Sequence, residues 1–519
     1  FGRAFLAFFV ALSFGTAAYA DEGLWTFDNF PVQTVKDKYG VTIDQGWRDH
    51  VRAAAVRLSV GCSASVVSAK GLVMTNHHCA ASCLQDLSKP GADYITDGFS
   101  AKTPENEKPC PGMQAEILLS SSDVTGAIAN KTTGTSGDTY VRARDAAIAT
   151  MEKESCAGKE ATQRCQIIPL YQGGQYWLYT YRRYSDVRLV FAVELNTGFF
   201  GGDPDNFSFP RYCLDVSFMR LYDKGKPAVT PEHLRWAPET PKDGQPVFVA
   251  GNPGGTSRML TATQLVGLRD VTRPALLLQL SELRGRYLQF STESDEHRRD
   301  AVSALLSVEN TLKRLRGEQL ALTDPKLIDG KSRDDDALKA KVDADPKLKA
   351  DIGDPWSDIA EAERARAGLQ PTYNWTEARA GSGSVLYRYA RILVRAAAER
   401  PKPNDQRLRE YADARLPALE KDIVDAGAIA PDFERLQLEF WLSKLRENLT
   451  ADSVETKVFL GKQSPEDWAR ALAASRVAEP AYRKNLWDGG QAAINASDDP
   501  LIQFIRRTDE TARSARALF

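Results

Sequence analysis

The residues from Cys62 to Cys79 hold the densest potential chemistry in the chain: Cys-Ser-Ala-Ser-Val-Val-Ser-Ala-Lys-Gly-Leu-Val-Met-Thr-Asn-His-His-Cys. An imidazole at His78, if one ring nitrogen is held, offers the other as a general base near neutral pH. Such a ring must be pinned, and the flanking residues suggest how. Ser65 to Ser68 and Leu72 to Thr75 are short strand-like runs, and Lys70-Gly71 supplies a turn with a residue free to take positive φ. A Cys62–Cys79 disulfide across this hairpin would fix His78 at the end of a strand. An isolated His-Cys pair more often belongs to a stapled turn whose histidines face solvent, so the rest of the chain has to supply the case for catalysis. A zinc site from His77, His78, Cys79 and Cys83 is not expected, because no second ligand pair at suitable spacing appears. No metal or cofactor is assigned.

The second chemical group is Asp215, which opens an alternating run through Val216, Phe218 and Leu221. A carboxylate there can accept the Nδ1 proton of His78, hold the tautomer with Nε2 free and stabilise the imidazolium formed during attack. Alone, Asp215 reads as a surface aspartate at the start of a strand. Together, the hairpin and this strand resemble the histidine and aspartate segments of chymotrypsin-like serine peptidases, in the same chain order.

The elements that must position these groups divide in texture. Residues 61 to 260 read mainly as β, with short apolar runs at Ala115 to Leu119, Tyr176 to Tyr181, Val187 to Val193, Val216 to Leu221 and Val247 to Ala250, separated by Gly, Pro and Asp clusters. Helical patterns appear at Ile43 to Arg57 and Tyr140 to Lys153. An aromatic-rich extended segment, Glu22 to Pro31, precedes them. After Gly255, apolar residues recur at three- and four-residue spacing over Leu260 to Phe290, Arg298 to Leu322, Val385 to Arg400, Gln406 to Ala426 and Pro431 to Leu449. The charged stretch Ser332 to Lys349 reads as a solvated helix or loop. No fixed-period repeat is present.

The 519 residues allow two or three domains with sizeable cores. With 67 basic and 69 acidic residues the formal charge is −2, which gives no electrostatic basis for nucleic acid or an anionic membrane as partner. Arg3, the apolar run Phe5 to Phe14 and Ala18-Tyr19-Ala20 form the pattern of a secretory signal, residues 1–20, with cleavage before Asp21. No later run of about 18 apolar residues predicts stable membrane insertion. Export to the periplasm or beyond makes the seven cysteines disulfide candidates. Besides Cys62 with Cys79, the expected pairs are Cys156 with Cys165 and Cys83 with Cys110, leaving Cys213, although sequence does not fix connectivity.

Six stretches narrow the resemblance: Glu22-Gly-Leu-Trp-Thr-Phe-Asp-Asn-Phe-Pro, Gly61-Cys-Ser-Ala-Ser, Thr75-Asn-His-His-Cys, Tyr181-Arg-Arg-Tyr-Ser-Asp-Val-Arg-Leu-Val-Phe-Ala, Gly201-Gly-Asp-Pro-Asp-Asn-Phe-Ser-Phe-Pro-Arg and Gly251-Asn-Pro-Gly-Gly-Thr. They are similar to the bacterial dipeptidyl-peptidase 7 and 11 family of serine exopeptidases, which remove dipeptides from free N-termini. The resemblance implies a chymotrypsin-like double β-barrel, incomplete here, with a large inserted α-helical domain. Residues 21–260 would be the N-terminal part of the peptidase domain and residues 261–519 the helical domain. It further implies His78 as general base, Asp215 as its orienting partner, and Asn206, Phe207 and Asn310 around the substrate's ammonium group. A buried ammonium needs such fixed acceptors in place of water. Asn310 on a solvated helix face and Phe207 in a core are the plain alternatives.

A nucleophilic serine is expected outside this chain. Gly134-Thr-Ser-Gly-Asp precedes the aspartate, against the required order, and Gly381-Ser-Gly-Ser-Val leads straight into a helical pattern. The family's Gly-Asn-Ser-Gly-Ser is absent from the sequence. The expectation is therefore a chain cut short, inactive as it stands, whose partners are oligopeptides with free N-termini and which leaves room for a homodimer. Side-chain preference at the second substrate position is left open. Two other readings are a catalytically silent peptidase-like binding protein and a chymotrypsin-like periplasmic endopeptidase.

Overall fold

A computed structural model describes residues 23–89, 91–199, 207, 210–253, 255–425 and 429–519. The expected signal segment and Asn206 lie outside the described residues. The strands are β1 (Ala55–Leu58), β2 (Ser63–Val66), β3 (Leu72–Thr75), β4 (Phe99–Ser100), β5 (Lys108–Pro109), β6 (Ala115–Asp123), β7 (Gln163–Leu170), β8 (Gln175–Tyr184), β9 (Asp186–Ala192), β10 (Ser217–Asp223) and β11 (Lys226–Pro227). They form one antiparallel sheet in the order β4-β9-β10-β3-β2-β1-β6-β8-β7, with β11 on β10 and β5 on β9. The described chain is thus mixed α and β, with a large antiparallel sheet followed by many helices.

Alternation explains the core. β1, β2 and β3 each bury every second residue, so Val56, Leu58, Ala64, Val66 and Val73 share one apolar face. The helix His77–Leu87 covers that face with Cys79, Ala80, Cys83 and Leu84, while His78, Ser82 and Asp86 point away. Gly71 makes the β2–β3 turn possible. Its φ is 69°, and a Cβ there would stand 2.8 Å from the Leu221 carbonyl oxygen.

Three disulfides are present, Cys62–Cys79, Cys83–Cys110 and Cys156–Cys165. The first two staple the helix His77–Leu87 one turn apart, to the start of the β2 hairpin and to the segment after β5.

From Ala262 to Leu518 the described chain is helical apart from connecting turns. Its core gathers Trp375, Tyr387, Trp441, Phe459 and Phe504, with Trp441 Nε1 donating to the Trp375 carbonyl at 2.8 Å. Arg395, 3% exposed, is paired through both terminal nitrogens with Glu377 at 2.7 Å and through Nε with Asp509 at 2.6 Å.

Several elements differ from the sequence expectation, each for a local reason. The helix expected over Ile43 to Arg57 spans Gln45–Ala54, and Val56 and Leu58 instead enter the sheet, where β2 and β6 pair with that strand. Val247 to Ala250 has strand composition but forms no ladder among the described residues, and Val249 is 99% exposed. Composition alone does not make a strand without a partner. Among the described residues of Gln406 to Ala426 only Leu416–Val424 is α-helix, because Pro417 fits the first turn and not the interior. Pro274 likewise falls at the start of the helix Arg273–Ser291, which is joined to Ala262–Gly267 by a π-type turn. The charged stretch Ser332 to Lys349, by contrast, agrees with the expected solvated helix, in Pro325–Ala344 and Pro346–Ile352. Among the described residues no helix is long and apolar enough to cross a membrane.

Candidate active site

Strand register brings the two sequence-distant groups together. β3 and β10 pair antiparallel with Thr75 opposite Ser217, so the residues leaving β3 meet those entering β10. His78 therefore lies beside Asp215, and its Nδ1 is 2.8 Å from Asp215 Oδ2. With the carboxylate ionised, Nδ1 carries the proton and Nε2 is the free nitrogen. The His78 side chain is 51% exposed whereas that of Asp215 is 6% exposed, so the ring reaches solvent from a buried anchor. His78 sits in the first turn of a helix rather than at the end of a strand, a small correction to the sequence expectation.

Asp215 is held on every side. Its Oδ1 accepts the backbone N–H of His78 at 3.1 Å, and its Oδ2 accepts from Asn76 Nδ2 at 3.2 Å and Arg211 Nη1 at 3.4 Å. Burial works against the ionised form, but the His78 hydrogen bond and charge, the backbone N–H and Arg211 outweigh it, leaving its pKa below the usual value. The position is also the N-terminus of the helix His77–Leu87, where a negative charge is favoured.

His77 plays a different part. Its ring is 2% exposed, hydrogen-bonds the Val193 backbone and packs against Gly198, where a Cβ would stand 2.6 Å from its Cγ. Burial drives its pKa down, only partly offset by the nearby charge of Asp215. It reads as a structural wedge between His78 and the turn Leu195–Gly198.

The remaining residues expected at the site lie on other segments. Phe207 is 64% exposed with φ of 58°, a conformation unusual for a residue with a side chain, and so is not a core residue. Asn310 lies half-buried on the helix Asp295–Leu322. That helix approaches the His77–Leu87 helix, where Gln85 Nε2 donates to the Asp300 carbonyl at 3.2 Å. A cavity of about 1180 Å³ opens between them, lined on one wall by Ser82, Gln85 and Asp86 and on the other by Asp300, Ser303 and Ser307. Ser82 and Gln85 share a helical face with His78, and Ser303 and Ser307 share one with Asn310.

Cys62, His78 and Cys79 are close enough together to suggest a metal, but the two sulfurs are bonded to each other and neither offers a thiolate. The two Gly-x-Ser stretches stand apart from His78. Ser136 is exposed before the helix Gly137–Ser155, and Ser384 donates its hydroxyl to the buried Glu434. No hydrogen bond joins either, or Ser382, to His78 among the described residues. Sequence reasoning missed Asn76 and Arg211. Their signal was present, an asparagine directly before the histidine pair and an arginine four residues before the aspartate, but neither position is informative without the β3–β10 register.

Known proteins share this architecture. The peptidase S46 family model matches residues 20–518. Dipeptidyl-peptidase 7 of Phocaeicola vulgatus is 28% identical over 384 residues, 69% of this chain and 52% of that protein. The Asp/Glu-specific dipeptidyl-peptidase of Shewanella putrefaciens is 29% identical over 426 residues, 77% of this chain and 56% of that protein. The chain thus spans about half the length of the curated relatives it matches. Porphyromonas endodontalis DPP11 in complex with the dipeptide Arg-Glu has the same overall fold, with a TM-score of 0.69 at 21% identity, covering 96% of this chain and 74% of that one.

Proposed function

Because the chain belongs to the peptidase S46 family, we propose that it carries the base and orienting carboxylate of a serine-type dipeptidyl-peptidase that releases dipeptides from free peptide N-termini through an acyl-enzyme. The observation that carries this reading is the 2.8 Å contact between His78 Nδ1 and buried Asp215. In the proposed reaction, His78 Nε2 takes the proton of a seryl hydroxyl as it attacks the scissile carbonyl and returns it to the departing amine. Asp215 keeps the ring oriented and offsets the charge of the imidazolium. The serine is not assigned among residues 1–519, and these residues alone are proposed to be inactive.

The substrate would bind against His78, its ammonium group met by Asn206, Phe207 and Asn310; the cavity between the helices is walled by neither His78 nor Asn310 and is a separate space. Residues 21–260 would belong to a chymotrypsin-like double barrel and residues 261–519 to a helical domain that closes one end of the cleft. A closed end is what converts peptide cleavage into removal of a fixed short unit. Three disulfides support an exported, periplasmic or secreted protein with a signal at residues 1–20.

The test is expression of the complete open reading frame and chromophore release from dipeptide substrates with free and acetylated N-termini. Turnover of free substrates alone is expected. Equal turnover of both removes the exopeptidase reading, and full turnover by His78→Ala removes the base assignment.

A further inference from the structure

Asn76 occupies the N-cap position of the helix His77–Leu87, a place where asparagine normally accepts a backbone N–H from the following turn. Here it makes no side-chain cap bond. Its amide turns away and donates to Asp215 twice, to the backbone carbonyl and to Oδ2, each at 3.2 Å. The vacated cap duty passes to Asp215, whose Oδ1 accepts the His78 N–H at 3.1 Å. Asn76 is itself anchored, because Ser217 Oγ donates to its carbonyl at 2.8 Å. The two residues have in effect exchanged tasks: the aspartate caps the helix and the asparagine holds the aspartate.

The exchange has a geometric consequence. A carboxylate on one rotatable stem can swing, and only one setting presents Oδ2 to His78 Nδ1 while Oδ1 meets the backbone. Asn76 grips both the main chain and the side chain of Asp215, which restricts that swing. We infer that Asn76 is a positioning residue for the His78–Asp215 pair, holding the carboxylate in the rotamer that keeps the Nδ1–H tautomer of His78; this rests on the reading of His78 as the base.

Positioning is separable from ordinary capping by choice of substitution. Serine is as good an N-cap as asparagine but is too short to reach Asp215. In the full-length protein Asn76→Ser is expected to keep the melting temperature within about 2 °C of the parent. It should lose about 10- to 100-fold in kcat, the range of one hydrogen bond to a charged group, with KM little changed. Asn76→Asp, which also caps but sets a second negative charge against Asp215, is expected to lose more. Nitrogen-15 spectra of the histidine side chains should show His78 passing from a single Nδ1–H tautomer to a mixture in Asn76→Ser.

Turnover by Asn76→Ser within about twofold of the parent overturns the inference. If His78→Ala is inactive in the same assay, the base assignment survives that result; if His78→Ala is active, the assignment itself is lost. Unfolding of both Asn76 variants also overturns the inference, since it makes the residue purely structural.

Discussion

Replacing Asp215 with asparagine changes a single heavy atom at a buried point of the site, and the surrounding donors decide the outcome. The Oδ2 side faces three donors, His78 Nδ1, Asn76 Nδ2 and Arg211 Nη1, whereas the Oδ1 side faces one, the His78 backbone N–H. An amide has one acceptor oxygen and will turn it toward the three. The tautomer of His78 is then kept, the helix N–H loses its acceptor, and the negative charge is gone. Near a protein surface two charges about 4 Å apart attract by roughly 4 kcal/mol, and that attraction is what the imidazolium loses. We expect kcat to fall on the order of 10³-fold with KM changed less than about threefold. The unpaired N–H and weakened bonds should cost about 1–3 kcal/mol of stability. The pH dependence has a definite sign. Because the folded pKa of Asp215 is depressed, the unfolded chain binds the extra proton, so the parent gains stability from this group above the ordinary carboxylate range and loses it as pH falls through the folded value. Asp215→Asn should lack that acid-side loss. The assays are steady-state kinetics of the full-length protein and denaturant unfolding across pH. A folded variant with kcat within about tenfold of the parent would refute the reasoning.

Other perturbations probe the scaffold. Replacing both Cys62 and Cys79 with serine opens a bridge of sequence separation 17, for which loop-closure entropy gives about 3 kcal/mol, so guanidinium unfolding should shift by that amount and turnover should fall; an unchanged midpoint would contradict the staple. Gly198→Ala puts a Cβ 2.6 Å from the His77 ring and should cost about 1–3 kcal/mol in chemical denaturation while lowering kcat through His78; a silent variant would show that His77 is free to shift. Asp86 is exposed to water inside the cavity, yet the surrounding walls strip part of its hydration and push its carboxyl up to about 6. The folded state therefore holds the proton more tightly, and this group favours folding less as pH rises from about 4 to about 7. Asp86→Asn should raise the melting temperature at pH 7 and not at pH 4, by a modest amount because cavity water screens the charge, and equal shifts at both would sink the idea. Arg395→Met takes the Nε bond from Asp509 and the bidentate partner from Glu377, which keeps Arg391 at 3.6 Å and Arg516 at 3.7 Å, and should cost about 3 kcal/mol in urea unfolding; a loss under about 1 kcal/mol would mean the network relaxes.

Legibility in the sequence was governed by how local the controlling physics is. The helix Pro431–Leu449 could be read to the residue because Pro431 marks its first turn and apolar spacing runs unbroken behind it. The β2–β3 hairpin was legible from Lys70-Gly71 and its second strand was exact, but the first runs Ser63–Val66 and not Ser65 to Ser68. Val247 to Ala250 misled, since a strand needs a neighbour that composition does not name. The contact between His78 and Asp215 could be expected from motif order, whereas the means of holding it could not. Arg211 and Asn76 act on Asp215 only because Thr75 faces Ser217, a pairing between strands more than a hundred residues apart in the chain. Side-chain alternation restricts that register but does not single it out.

Placing His78 on the first turn of a helix, and not on the strand before it, couples three demands in one carboxylate. Asp215 terminates the helix His77–Leu87, orients the His78 ring and neutralises Arg211. Capping the helix or orienting a neutral ring could be met by a neutral acceptor, but pairing with Arg211 could not, and the three together require a fixed negative charge at low exposure. Low exposure raises the cost of that charge, and the helix N-terminus and three donors offset it. The disulfides at Cys79 and Cys83 then matter for more than stability. They lock the helix that Asp215 caps, so the capping geometry cannot relax by rotating the helix away from β10. An order of failure results: reducing the disulfides in the folded protein should loosen the His78–Asp215 contact before the sheet melts, and the Nδ1–H signal of His78 should broaden at reductant concentrations that leave the far-ultraviolet circular dichroism unchanged. If signal and dichroism were lost together, the helix would owe its position to the sheet and not to the staples.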